Sequence, residues 1–197
     1  MSSCGLWKES LAVAEDYIGL CCAAEAGAAP PPPSEAAAVM RRLGRHAESL
    51  NEASLRSLAQ NFIRECGPDV CSGLRRVMEE MVNDGLLNWG RVVSLFAFTG
   101  VLARMLRGHR EQEQTSATAT KSGLDLDEWP QTRRKLAETI ADFLEEEKKE
   151  WMLENNGWEG FCKSCSGWQS IQDVSMKTAL LAAAGVGLAG LTFLLGR

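Results

Sequence analysis

Seven cysteines and two histidines are the residues of this 197-residue chain best suited to site chemistry, and their spacing supports none. Cys162 and Cys165 form one CxxC, whereas Cys66 and Cys71 are spaced too loosely to be its partner. A structural zinc site needs four converging ligands, and neither His46 nor His109 lies near a cysteine pair. With Cys4, Cys21 and Cys22 the thiols are odd in number, and a cytosolic domain keeps them reduced. They are expected to be small packing residues, with no metal and no cofactor. The chain also lacks a glycine-rich phosphate loop and any nucleophile-base pair, so binding is expected rather than catalysis.

Recognition chemistry is better served. Asn88-Trp89-Gly90-Arg91 joins a good helix N-cap, a large core anchor and a cation. In the first turn of a helix a cation faces the positive end of the dipole and loses a few tenths up to about 1 kcal/mol. Arg91 stands at the mouth of VVSLFAFTGVLA, the uncharged run that ends before Arg104, and is expected to meet an anion. That anion comes from a partner, or from an intramolecular neighbour such as Glu79 or Glu80. A second motif runs from Glu154 to Phe161: Asn156-Gly157 makes a turn, and Trp158 and Phe161, three apart, present one aromatic ridge.

The elements that must position these motifs are helical. Leu6, Val13, Ala14, Tyr17, Ile18 and Cys21 share one face of a first helix, opposite Lys8, Glu9, Glu15 and Asp16. Residues 28–33 (AAPPPP) form a short linker, and Ser34 caps a second helix carrying Ala36, Met40, Leu43, Ala47 and Leu50. The same pattern continues through Leu55, Leu58 and Phe62 until Gly67-Pro68 stops it. Asp69 opens a helix with Val70, Leu74, Val77, Met78, Met81 and Val82 inward, ended at Asp84-Gly85. The twelve apolar residues after Arg91 are too few to cross a bilayer and suit the centre of a bundle. Residues 108–128 are polar and expected as a mobile loop. Pro130 starts a helix with Leu136, Ile140, Phe143 and Leu144 on one side, and short helical pieces follow, broken at Asn156-Gly157 and Ser166-Gly167. No segment alternates with period two, so the class is all-α.

The final apolar run, Thr178 to Leu195, holds 18 residues without a charge between Lys177 and Arg197. At about 1.5 Å per residue it approaches the roughly 30 Å bilayer core. Lys8, Glu9, Glu15 and Asp16 leave no room for a secretory signal. A transmembrane tail anchor is therefore expected over 178–195, joined by a linker (171–177) to a cytosolic bundle (1–170). Ala183 and Gly187 offer a small-xxx-small pair within it.

NDGLLNWGRVVSLFAFTG (83–100) resembles the first homology region of the Bcl-2 family of apoptosis regulators, and EWMLENNGWEGF (150–161) resembles its second. Glu15-Asp16-Tyr17 looks like the fourth region, and Met40 to Ala47 sits where the third should be. The proline-rich first loop, the EDY and the AAAGVGLAGLTFLL tail look most like the Bcl-2-like ten branch. The pattern is departed from by an extra residue in Asp84-Gly85-Leu86-Leu87, by the long 108–128 segment, and by a degenerate third region.

The resemblance implies a helical bundle around a central hydrophobic hairpin, with a groove for the amphipathic helix of another family member. Carried over residue by residue, the groove is Val77, Met81, Val92, Leu95 and Phe98, with Asn88, Trp89, Gly90 and Arg91 at its head. Arg91 would meet the Asp of ligand helices, a pairing that costs about 2–5 kcal/mol to break when one partner is truncated. In the third region Met40, Leu43, Gly44 and Ala47 are kept, but Arg45 stands where ligand helices carry Asp, so this segment should be a poor ligand. An anti-apoptotic receptor for death-promoting helices follows, at mitochondrial outer membrane or endoplasmic reticulum, and homo- or hetero-dimerisation is compatible with it. The rival is a pro-apoptotic or membrane-permeabilising member acting through the hairpin near 91–150.

Charge agrees with a binding role. The net charge of -5 and pI near 5.2 argue against nucleic acid as partner. Residues 174–197 hold two bases and no acid, so the remainder has 19 bases against 26 acids, a net charge of -7 that would attract basic parts of ligand helices.

Overall fold

A computed structural model describes residues 3–23, 29–67, 69–116 and 128–166, and among the described residues every regular element is a helix. In chain order these are α1 (Ser3–Cys22), α2 (Glu35–Leu50), α3 (Glu52–Cys66), α4 (Val70–Met81), α5 (Trp89–Ser116), α6 (Glu128–Glu146), α7 (Lys149–Glu154) and α8 (Gly157–Ser166). The linker and anchor expected over 171–177 and 178–195, with Ala183 and Gly187, lie outside the described residues.

The caps sit where side-chain chemistry puts them. Ser34 is extended and its hydroxyl accepts from the Ala37 N–H at 3.1 Å. The Asp69 carboxylate accepts from Ser72 N–H at 3.2 Å, and the Asn88 amide oxygen from Arg91 N–H at 2.9 Å. Each serves a donor that the first helical turn leaves without a partner.

Helix α5 is the axis of the bundle. Every residue from Trp89 to Ala103 is buried, and α1, α2 and α3 pack along it. The only hydroxyls in that stretch turn back on their own helix: Ser94 donates to Gly90 O and Thr99 to Leu95 O, both at 2.9 Å. The segment Trp89–Arg110 is long and apolar enough to cross a membrane, which corrects the expectation drawn from its twelve uncharged residues, but its most apolar window is 83% buried in the bundle. Helix α6 differs in kind. Leu136, Ala137, Ile140, Phe143 and Leu144 bury one face, and the helix lies mainly on α1 and α4. The expected central hairpin is therefore asymmetric, one member enclosed and the other amphipathic.

Two boundaries depart from the sequence reading. The continuous pattern from Ala36 to Phe62 is two helices, divided at Asn51, whose N–H bonds to Glu48 O at 3.2 Å and whose side-chain amide bonds to Ala47 O at 3.0 Å. Periodicity does not register the break, because both helices turn their apolar faces to α5. Residues 108–116, expected within a loop, continue α5 to Ser116. Arg110, Glu111, Gln112, Glu113 and Gln114 are good helix formers, and no proline or further glycine intervenes.

The turn read at Asn156-Gly157 is present, with φ of 58° and 56° at the two residues. Asn and Gly are the types that enter this left-handed region most readily. At Gly160 a Cβ would overlap the Asn155 carbonyl oxygen, so the corner between α7 and α8 admits only glycine there.

Candidate partner-binding site

The head of α5 is built around a cation without solvent. Arg91 is 4% exposed. Its two terminal nitrogens donate to the two carboxylate oxygens of Asp84, each at 2.5 Å. Nη1 also donates to Met81 O at 2.9 Å and to Leu86 O, whereas the buried Nε has no partner. The intramolecular anion is thus Asp84, neither Glu79 nor Glu80, and Arg91 does not stand open to a partner. Asp84 lies in the turn that carries the extra residue, between the end of α4 and the Asn88 cap.

The Arg91 guanidinium, helped by the Leu86 N–H at 3.0 Å, holds the Asp84 carboxyl down at about 2. A carboxyl depressed on folding contributes stability above its ordinary value and loses it as pH falls through the folded value. The window therefore runs from the ordinary 3.8 down to about 2. An acid titration followed by carbon NMR should find Asp84 ionised until the pH approaches about 2, and a midpoint at the ordinary 3.8 would dismiss the pair.

The two homology motifs meet below this cation. Trp89 lies 4.8 Å from Trp151, 6.2 Å from Trp158 and 5.2 Å from Phe161 between ring centroids. Trp158 is 5.4 Å from Phe161 and 6.0 Å from Phe96, and its indole N–H donates to the buried Ser10 hydroxyl at 2.9 Å. The ridge of Trp158 and Phe161 thus sets the position of Trp89, and Asn156-Gly157 sets the ridge.

The five residues expected to line a groove are all buried in one continuous core: Val77 and Met81 from α4, Val92, Leu95 and Phe98 from α5. Helix α3 packs along α5 and sets Phe62 edge-on to Phe98 at 5.8 Å. The groove expected to be exposed is closed in this structure. Among large apolar side chains only Leu86 and Leu153 are exposed, within the described residues.

The third-region segment faces inward too. Met40, Leu43, Gly44 and Ala47 are buried, and Arg45 is exposed. What fastens this helix is α1. Asp16 takes Arg41 in a two-point pair at 2.5 and 2.7 Å, and Gly44 lies against the Tyr17 ring. The Tyr17 hydroxyl donates to Glu48 Oε1 at 2.6 Å, beside the Cys21 thiol at 3.5 Å, while Arg104 of α5 takes Oε2 at 2.6 Å. Burial, first of all, pushes the Tyr17 hydroxyl and the Cys21 thiol up. Gly100 makes room, since a Cβ there would fall 2.7 Å from Cys21 Sγ and 2.9 Å from Glu48 Oε1.

The sequence reading missed Asp84 as the partner of Arg91, and Glu48 altogether. The signals were an acid beside a turn glycine seven residues before the cation, and the chain's one tyrosine on the apolar face of its helix. Among the described cysteines Cys22, Cys162 and Cys165 are buried and Cys21, Cys66 and Cys71 half-buried, and burial pushes the Cys165 thiol up to about 12.

The described residues form an α-helical bundle whose apolar axis, α5, begins at a capped, ion-paired cation and is held there by an aromatic corner. The chain belongs to the Bcl-2 family: residues 40–158 match the pattern of "Apoptosis regulator proteins, Bcl-2 family". It is similar to the anti-apoptotic protein NR13 of Gallus gallus, 36% identical over 153 residues, which cover 73% of this chain and 76% of that one. It is also similar to the zebrafish pro-survival protein NRZ, solved in complex with Bad BH3. That likeness has a TM-score of 0.68 and 43% identity, and covers 82% of this chain and 95% of NRZ. NRZ without ligand matches at the same TM-score, with 42% identity over 85% of this chain and 97% of that one.

Proposed function

We propose that this protein is an anti-apoptotic regulator that binds the amphipathic helices of pro-apoptotic family members. The observation that carries the reading is its 43% identity, over most of both chains, to a pro-survival protein solved with a Bad BH3 helix. NR13, described as anti-apoptotic, supports the same direction of action over that of a killer. The binding floor is Val77, Met81, Val92, Leu95 and Phe98, with Asn88 to Arg91 at its head and Asn156, Gly157, Trp158 and Phe161 holding that head in place. Because the floor is closed, binding includes movement of α3 and α4 away from α5. Arg45 disfavours the opposite role, in which α2 itself is the ligand. The finer reading places the chain in the Bcl-2-like ten branch, anchored through 178–195 to mitochondrial or reticular membranes.

Calorimetry on the full chain tests it. A helix with apolar anchors at i, i+4, i+7 and i+11 is expected to bind saturably, and the same helix with two anchors replaced by Glu should bind at least tenfold more weakly, the ratio that about 1.4 kcal/mol represents. Absence of saturable binding would sink the proposal. Expressed in cells given a death stimulus, the protein should raise survival, and increased killing would reverse the direction.

A further inference from the structure

We propose that Asp84 is the resident ligand of Arg91, and that an incoming helix docks by exchanging its own carboxylate for that of Asp84. This rests on the helix-binding reading above. The two partners are unequal. Arg91 is 5% exposed in its side chain and is fixed by carbonyls from both sides of the turn, Met81 and Leu86. Asp84 is 42% exposed in its side chain, on a turn that contains Gly85 at φ 74°. The anion can swing into water while the cation stays.

Exchange suits this geometry for two reasons. A buried cation left without an anion is strongly destabilising, and a carboxylate-for-carboxylate swap keeps Arg91 compensated throughout. Asp84 also grips only the terminal nitrogens, leaving the buried Nε unpaired. A carboxylate that arrives along the Nε and Nη2 edge satisfies the donor that Asp84 does not reach. The chemical consequence concerns selectivity. The acid of a ligand helix contributes only the difference between two similar ion pairs, so apolar anchors carry the affinity.

The test pairs two helices, one with Asp and one with Asn at the acid position, against the full chain and its Asp84→Asn variant. With wild type, Asp to Asn in the helix should weaken binding by no more than about threefold; with D84N it should weaken it by about thirtyfold, as expected when one charge partner is truncated without a substitute. Equal ratios in the two proteins would overturn the exchange. A readout on wild type stands even if D84N fails to fold: in the saturated complex, the Asp84 carboxyl should titrate near its ordinary value of 3.8 instead of about 2. A carboxyl still held down in the complex would overturn the exchange and leave the helix-binding reading intact. If neither helix binds either protein, the helix-binding reading fails and the exchange with it.

Discussion

Trp158→Ala is expected to lower folding stability by about 3–5 kcal/mol, the range for removing a large buried aromatic side chain. Three losses combine. The ring gives up contacts with Trp89, Phe96 and Phe161, each within 6.2 Å between centroids. The space it leaves lies between the α7–α8 corner and α5, and the Asn156-Gly157 turn keeps the corner from collapsing into it. The Ser10 hydroxyl, fully buried, loses its indole donor, and a stranded buried polar group costs about 1–3 kcal/mol. Urea denaturation measures the total, and Trp158→Phe divides it: phenylalanine keeps most ring contacts and lacks the N–H. A total below about 1 kcal/mol, the level of ordinary surface changes, would show that the corner does not support α5.

The second large effect is expected at Gly44. A Cβ there would overlap Cε2, Cζ and Oη of Tyr17. The ring has nowhere to go, because its hydroxyl is bonded to Glu48 and its edge meets Phe96 at 5.9 Å between centroids. Overpacking of this kind typically costs about 1–3 kcal/mol, and Gly44→Ala belongs at the upper end. A double-mutant cycle isolates the cause. In a Tyr17→Leu background the added methyl should cost markedly less. An equal cost in both backgrounds would place the penalty in the α2 backbone instead. The small residue that resemblance assigns to a ligand surface here serves internal packing.

Local chemistry was legible in the sequence. Asn88, Ser34 and Asp69 cap because their side chains reach donors two or three residues on, and Asn156-Gly157 turns because both types tolerate positive φ. The packing of Trp89 on the Trp158 ridge was not legible, since neither motif names the other as its neighbour. Exposure was not legible. Val77, Met81, Val92, Leu95 and Phe98 have the same sequence whether α3 covers them or not, so an open groove and a closed one read alike. The partner of Arg91 was hidden for another reason: Asp84 lies in an irregular turn, where helical periodicity says nothing about which way a carboxylate points. The division at Asn51 and the extension of α5 to Ser116 escaped because a hydrophobic face continues past one break, and a run of polar residues shows no such face.

Glu48 accepts from α1 through Tyr17 and Cys21 and from α5 through Arg104. One carboxylate therefore reads the mutual alignment of three helices whose apolar faces alone would tolerate sliding. If α2 shifted by a turn, its Leu, Met and Ala side chains would still find grease, but Glu48 would enter the interior with nothing to bind, a cost apolar contacts cannot offset. The cluster works as a register key, admitting a single alignment of α2 on α1 and α5.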